Sequence, residues 1–180
     1  YVFRNVCNKQ MEWKRKGLGV IPVSINLSRA SLYFESVVKQ YHSIASEIGV
    51  DTELVPIEIT ESAAIDNENI KALADRFHSK GFSLMVDDFG AGYSSLATLN
   101  MKCFDTLKID KSLIDYIGDF SGEKLLEHTI ALAKDLGLNV TAEGVETEEQ
   151  VDFLRKINCD SIQGYYYSKP LPEQEFKKLL

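Results

Sequence analysis

The chain has 180 residues, of which 44% are hydrophobic and 26% are charged, and its formal net charge at pH 7 is −7. These values are typical of one globular domain and exclude a disordered chain or a collagen-like fibre. The negative charge argues against a basic surface for polymeric DNA or RNA, and no apolar run in the sequence approaches the roughly 18 residues of a membrane span.

The sequence opens inside a helical pattern. Residues 2–13 have the spacing of an amphipathic helix, the basic run 14–16 is typical of a helix C-terminus, and Gly17 is placed to end it. The first residue is Tyr1 rather than Met. We therefore expect the chain to be part of a longer protein.

Short apolar runs then alternate with helical patterns as far as the last residue. Strands are predicted at 20–26, 55–60, 82–86, 106–109, 139–142 and 161–162. Helices are predicted at 32–48, 66–80, 125–136, 147–157 and 173–180. About six strand–helix units of this kind predict an α/β protein with a parallel sheet. Two architectures fit the alternation: a doubly wound sheet and a (β/α)8 barrel.

Polar or charged residues close nearly every predicted strand, which favours the barrel, because all the carboxyl ends of barrel strands face one rim. They are Asn26, Glu58, Glu61, Asp87, Asp88, Lys108, Glu143, Glu146 and Gln163. Oxygen ligands of this kind suit Mg²⁺ or Mn²⁺, and the lack of histidine among them argues against zinc. The neighbouring carboxylates of Asp87 and Asp88 are the strongest signal, since together they can share two metal ions.

The chemistry that such a rim supports is phosphodiester cleavage. Two divalent cations would activate a water molecule and bind the phosphate for in-line attack. Lys108 lies inside an apolar strand, where it could orient that water or offset developing charge. The segment 88–90 also matches the DFG triplet of kinases, but no kinase catalytic loop accompanies it. The glycines at 90 and 92 instead predict a tight functional loop over residues 88–96.

Six segments together resemble the EAL-domain phosphodiesterases: SINLSR, IEITES, VDDFGAGYSSL, LKIDKSLI, TAEGVET and QGYYYSKPLP. They follow one another in the family's order over essentially all 180 residues. Members of that family hydrolyse the bacterial second messenger cyclic di-GMP to linear pGpG, and they fold as a TIM-like (β/α)8 barrel. The resemblance therefore implies this fold, with about six of its strand–helix units in the present chain.

The resemblance also implies a role for each residue of the site. The expected ligands of two Mg²⁺ or Mn²⁺ ions are Asn26, Glu58, Asp87, Asp88 and Glu143. Lys108 is expected to hold the catalytic water, with Asp88 and Glu61 as its catalytic partners, and Glu61 to anchor the loop after Asp88. Gln163 matches a glutamine of the substrate site. Ala91, commonly threonine in the family, is a mild departure.

One departure is larger, because the Glu-Ala-Leu strand that names the family is absent from the sequence. We therefore expect residues 1–180 to form an EAL-type domain that is incomplete at its N-terminal side and inactive by itself. The expected parent is an active phosphodiesterase, since every ligand position within the chain is filled. The alternative is a degenerate domain that binds cyclic di-GMP or a protein partner without hydrolysis.

The resemblance extends to partners and location. It implies a homodimer and an upstream sensory or cyclase domain in the parent protein. The three cysteines are far apart and fit no metal spacing, as expected of reduced thiols. We therefore expect a bacterial cytoplasmic domain, which could also be the cytoplasmic part of a protein attached to a membrane.

Overall fold

The computed structural model describes residues 1–34, 36–65, 69–92, 98 and 102–180. Its strands are β1 (Ile25–Asn26), β2 (Ile57–Thr60), β3 (Leu84–Phe89), β4 (Thr106–Ile109), β5 (Asn139–Ala142) and β6 (Ser161–Ile162). Its helices are α1 (Val2–Arg15), α2 (Val37–Ile48), α3 (Glu61–Ile65), α4 (Ile70–His78), α5 (Lys111–Ile114), α6 (Phe120–Asp135), α7 (Glu148–Lys156) and α8 (Glu173–Phe176). Within the described residues, no helix is long and apolar enough to cross a bilayer.

The strands form one sheet in the order β1-β2-β3-β4-β5-β6. The pairs β1–β2, β3–β4, β4–β5 and β5–β6 are parallel. A doubly wound sheet reverses its strand order at a switch point, whereas barrel strands follow one another in sequence order. The observed order therefore favours the barrel over the doubly wound alternative.

The first strand is shorter than predicted, since only Ile25–Asn26 of residues 20–26 is a strand. Pro22 has no N–H to donate within this segment. Residues 23–25 still lie alongside the residues that lead into β2, because the N–H groups of Val23 and Ile25 donate to the carbonyls of Leu54 and Pro56 at 3.0 and 2.8 Å.

The helices also differ from the prediction at several ends. The predicted helix 32–48 is divided into a 3-10 helix, Arg29–Tyr33, and α2. The closing helix spans only Glu173–Phe176 rather than 173–180. The short helices α3 and α5 were not predicted, because periodicity needs more than one turn to be visible. Residues 66–68, at the start of the predicted helix 66–80, and residues 93–96 of the predicted loop lie outside the described residues.

The described residues group into two compact units. The first contains Tyr1–Ile59, Asp66–Leu84 and Leu171–Leu180, and the second contains Thr60–Ile65 and Met85–Pro170. In the first unit an aromatic cluster fills the core, with the rings of Phe77 and Phe82 centred 5.6 Å apart. In the second unit the core consists of buried aliphatic side chains from β4, β5, α6 and α7. The expectation of one incomplete domain over 1–180 stays a prediction.

Side chains complete the hydrogen bonding of β5 at the end where β6 does not reach it. β6 pairs only with Thr141 and Ala142. One step earlier, the Val140 N–H donates to Asp160 Oδ2 at 2.9 Å, and the other oxygen of Asp160 accepts from Lys134 Nζ at 2.8 Å. Asp160 therefore holds the amino end of the strand whose other end leads into Glu143.

Replacing Asp160 by alanine is expected to lower the free energy of unfolding by about 1 kcal/mol at neutral pH, because the Val140 N–H loses its acceptor. Partial burial opposes ionisation, but Lys134 and the Val140 N–H outweigh it and hold the pKa of Asp160 below its ordinary value of 3.8. The stabilisation is therefore complete above that value and is lost as the pH falls through the lower pKa of the folded state.

Urea denaturation of the full-length protein and its Asp160→Ala variant measures this effect. The difference between the two should shrink as the pH falls below about 4 and through the lowered pKa of Asp160 in the folded state. A difference that stays constant over this range would show that the Asp160 charge does not contribute to stability.

Candidate functional site

The side chain of Lys108 is buried in the second unit between two carboxylates. Lys108 is 6% exposed, and its Nζ lies 3.0 Å from Asp87 Oδ1 and 2.9 Å from Glu143 Oε1. A lysine is rarely buried unless it is paired in this way. The structure thus brings together three of the residues that the sequence analysis singled out.

Strand register explains the meeting of these three side chains. Lys108 belongs to β4, which lies between β3 and β5 in the sheet. Asp87 is supplied by β3, and Glu143 follows the last residue of β5. The Glu143 N–H donates to the Ile109 carbonyl at 2.9 Å, which extends the β4–β5 ladder by one residue. Each neighbouring strand therefore contributes one carboxylate to the central lysine.

Asp88 has a backbone conformation that is uncommon for a residue other than glycine. Its φ is 60°, and the pairing of β3 with β4 is irregular between Val86 and Phe89. The Asp88 N–H donates to Asp87 Oδ1 at 3.0 Å. As a result Asp87 is buried and Asp88 is exposed at the end of the same strand. Such strain is typical of functional positions rather than of plain strand ends.

The first unit contains two more of the predicted ligands. Asn26 ends β1 and pairs in register with Glu58 of β2. The Leu27 N–H donates to the Glu58 carbonyl at 2.8 Å, so the two strands stay paired beyond Asn26. Glu58 is buried, whereas Asn26 is exposed. These two residues therefore lie on neighbouring strands.

Glu61 has a partner that the sequence did not indicate. Thr98 Oγ1 donates to Glu61 Oε1 at 3.0 Å, and the two residues are 2% and 6% exposed. They are 37 positions apart in the sequence. No local pattern predicts such a contact, because it depends on how the chain returns between the two positions.

Gln163 follows β6 and is held through its backbone. Its N–H donates to the Ala142 carbonyl at 2.8 Å, and its carbonyl accepts from the Val145 N–H at 3.1 Å. A Cβ on the next residue, Gly164, would lie 2.0 Å from the Val145 carbonyl oxygen, so only glycine fits there. The backbone of Gln163, whose side chain is exposed, is thereby held beside the loop that begins at Glu143.

The donor set fits a hard divalent cation. The predicted ligands supply carboxylate and amide oxygens, which Mg²⁺ and Mn²⁺ prefer. Over residues 1–34, 36–65, 69–92, 98 and 102–180, no three acidic, histidine or cysteine side chains form a ready metal cluster. Asp87 and Glu143 instead reach the same ammonium group, which shows that their oxygens can approach one cation.

A family model for the EAL domain matches residues 1–170. The chain belongs to the EAL domain family. The cyclic di-GMP phosphodiesterase NbdA of Pseudomonas aeruginosa is 35% identical over 100% of the chain, which covers 23% of NbdA. The chain likewise covers 22% of the oxygen sensor protein DosP of Escherichia coli, with 35% identity over 97% of the chain. It thus spans less than a quarter of the length of these curated relatives.

Solved EAL domains have the same fold. The crystal structure of the EAL domain of Mycobacterium smegmatis DcpA superposes with a TM-score of 0.92 at 35% identity, covering 99% of this chain and 82% of the crystallised EAL-domain chain. EAL domains are TIM-like barrels, so the expected fold class is confirmed. A manganese complex of Klebsiella pneumoniae BlrP1 with cyclic di-GMP superposes with a TM-score of 0.79 at 27% identity, covering 93% of this chain and 45% of BlrP1.

Proposed function

We propose that the full-length protein containing this EAL domain is a metal-dependent phosphodiesterase that hydrolyses cyclic di-GMP to pGpG in bacterial signalling. The observation that carries the proposal is the buried ammonium of Lys108 between Asp87 and Glu143. Burying three charged groups together costs folding free energy. The arrangement is therefore better explained by chemistry at this position than by stability.

Each residue has a definite task in this proposal. Two Mg²⁺ or Mn²⁺ ions, held by Asn26, Glu58, Asp87, Asp88 and Glu143, would supply a water molecule of lowered pKa and neutralise phosphate charge. Lys108 holds the attacking water by a hydrogen bond and offsets negative charge that develops on the phosphate. Gln163 contacts the substrate, and Glu61 anchors the segment after Asp88.

The second candidate function is a degenerate domain that binds cyclic di-GMP or a protein without cleaving it. The strained backbone at Asp88 favours the phosphodiesterase. A domain that had lost catalysis would gain stability by relaxing that conformation, whereas a catalytic site retains such strain.

The experiment that tests the proposal follows pGpG release by the full-length protein with Mn²⁺, with Mg²⁺, with Ca²⁺ and with excess EDTA. We expect turnover with Mn²⁺ or Mg²⁺ and none with EDTA. Ca²⁺ should bind but support no turnover, because its longer bonds and higher coordination number place the ligands differently. Full hydrolysis in EDTA would exclude the metal-dependent mechanism, and binding without hydrolysis under every condition would favour the degenerate alternative.

We also infer a homodimer, an upstream sensory or cyclase domain and a cytoplasmic location. Leu125 and Leu132 of α6, with Leu136 directly after it, form an exposed apolar stripe, which supports pairing with a second copy. The oxygen sensor protein DosP, of which the chain covers 22%, supports an additional domain. Three free thiols support a reducing compartment. Sedimentation of the full-length protein measures its oligomeric state.

A further inference from the structure

The carboxylate of Glu61 is enclosed within the second unit. A buried carboxylate needs hydrogen-bond donors, because it has lost the water that would otherwise solvate its charge. The hydroxyl of Thr98 is such a donor, at 3.0 Å from Oε1. Thr98 is itself almost fully buried, so water does not readily replace its hydroxyl. The pair is thus a specific, enclosed interaction rather than a surface contact.

The position of Thr98 in the chain connects this pair to the active site. Asp88, with its strained backbone, and Thr98 lie at the two ends of residues 88–98. Glu61 is the residue directly after Thr60, the last residue of β2. The Thr98–Glu61 hydrogen bond therefore holds Thr98, which lies ten positions after Asp88 in the sequence.

We propose that Thr98 is a positioning residue that acts on the active site through Glu61. The inference rests on the proposed function, in which Glu61 anchors the segment after Asp88. Thr98 touches neither substrate nor metal in this role. It orients the Glu61 carboxylate, and Glu61 in turn determines where Asp88 is held.

The test uses Thr98→Val and Thr98→Ser in the full-length protein. Valine has nearly the shape of threonine but no hydroxyl, whereas serine keeps the hydroxyl. Residues that orient metal ligands from outside the coordination sphere change affinity or activity by about 10- to 100-fold, and Thr98 acts on the proposed ligand Asp88 only through Glu61, so the lower end of this range applies. We therefore expect Thr98→Val to lower kcat about tenfold and to raise the Mn²⁺ concentration needed for half-maximal turnover, and Thr98→Ser to restore most of both.

Thr52→Val is the matched control. The Thr52 hydroxyl also donates a hydrogen bond, at 3.2 Å to the Lys80 carbonyl, but this pair lies in the first unit. The control should leave kcat and the Mn²⁺ requirement unchanged. Thermal unfolding of all variants shows whether a loss of turnover merely follows a loss of folded protein.

A double-mutant cycle with Glu61→Gln tests whether Thr98 acts through Glu61. If it does, Thr98→Val changes kcat less than about twofold in the Glu61→Gln background, since coupled residues are not additive. Three results would overturn this inference while leaving the proposed function intact. They are equal losses of kcat in both backgrounds, failure of Thr98→Ser to restore turnover, and a Thr98→Val enzyme with the kcat and Mn²⁺ requirement of the wild type. Absence of turnover by the wild type with Mn²⁺ would instead overturn the proposed function, and this inference with it.

Discussion

Asp88→Asn in the full-length protein is expected to lower kcat for cyclic di-GMP by about a thousandfold, with the fold unchanged, because it removes the charge that we propose holds and bridges the metals. Asparagine keeps the shape of the side chain. It is also one of the few residues that readily adopt a left-handed backbone, so the φ of 60° is retained. The substitution therefore removes the charge of residue 88 and leaves its backbone conformation unchanged, so a loss of kcat reports on the charge.

The rate of pGpG release and the melting temperature are measured on the same preparation. Asp152→Asn is the control, since Asp152 is an exposed aspartate on α7 with a loose contact of 3.8 Å to Arg155. That variant should match the wild type. If Asp88→Asn retains more than about a tenth of the activity, the activation barrier has changed by less than about 1.4 kcal/mol. That result would show that Asp88 is not a catalytic residue.

Lys108→Met is expected to affect both rate and stability. Methionine preserves most of the apolar stem but leaves Asp87 and Glu143 facing each other without the ammonium. Removing one partner of a buried charge cluster costs about 3 kcal/mol of unfolding free energy. Because Lys108 is the group proposed to orient the attacking water, its loss should also lower kcat at least a hundredfold.

Mn²⁺ distinguishes these two effects of Lys108→Met. The metal should raise the melting temperature of the variant more than that of the wild type, because it neutralises the two carboxylates. It should not restore turnover. Lys124→Met, at an exposed lysine paired with Glu127, is the control and should change neither quantity. A variant with normal kcat would exclude Lys108 from catalysis, and equal stabilisation of both proteins by Mn²⁺ would exclude a shared cation site.

The strand ends at which the proposed ligands lie were predictable from the sequence because strand alternation and polar termini are local signals. β4 and β5 have the predicted limits, and Thr147, the predicted start of the helix 147–157, is the N-cap of α7. Asp87, Lys108 and Glu143 meet because parallel strands of similar register bring their carboxyl ends together. The grouping of these three charged side chains could therefore be predicted from residue type and from position at a strand end.

Other features depend on contacts that no short segment encodes. The irregular pairing of β3 carries the strand through Asp87 and Asp88 to Phe89, whereas periodicity predicted its end at Val86. The hydrogen bond from Thr98 to Glu61 joins positions 37 residues apart. Contacts of this kind are determined by the packing of whole helices and strands, so the pattern within a short segment does not predict them.

The sequential strand order has a consequence for how the chain is made. Every strand of the sheet lies beside the one that precedes it in the sequence. During synthesis each new strand therefore emerges next to an edge that already exists, and the loop to be closed is a single strand–helix unit. Ordered growth of this kind covers each earlier edge on the growing side as the next strand arrives, so the number of exposed edges does not increase, which limits pairing with other nascent chains.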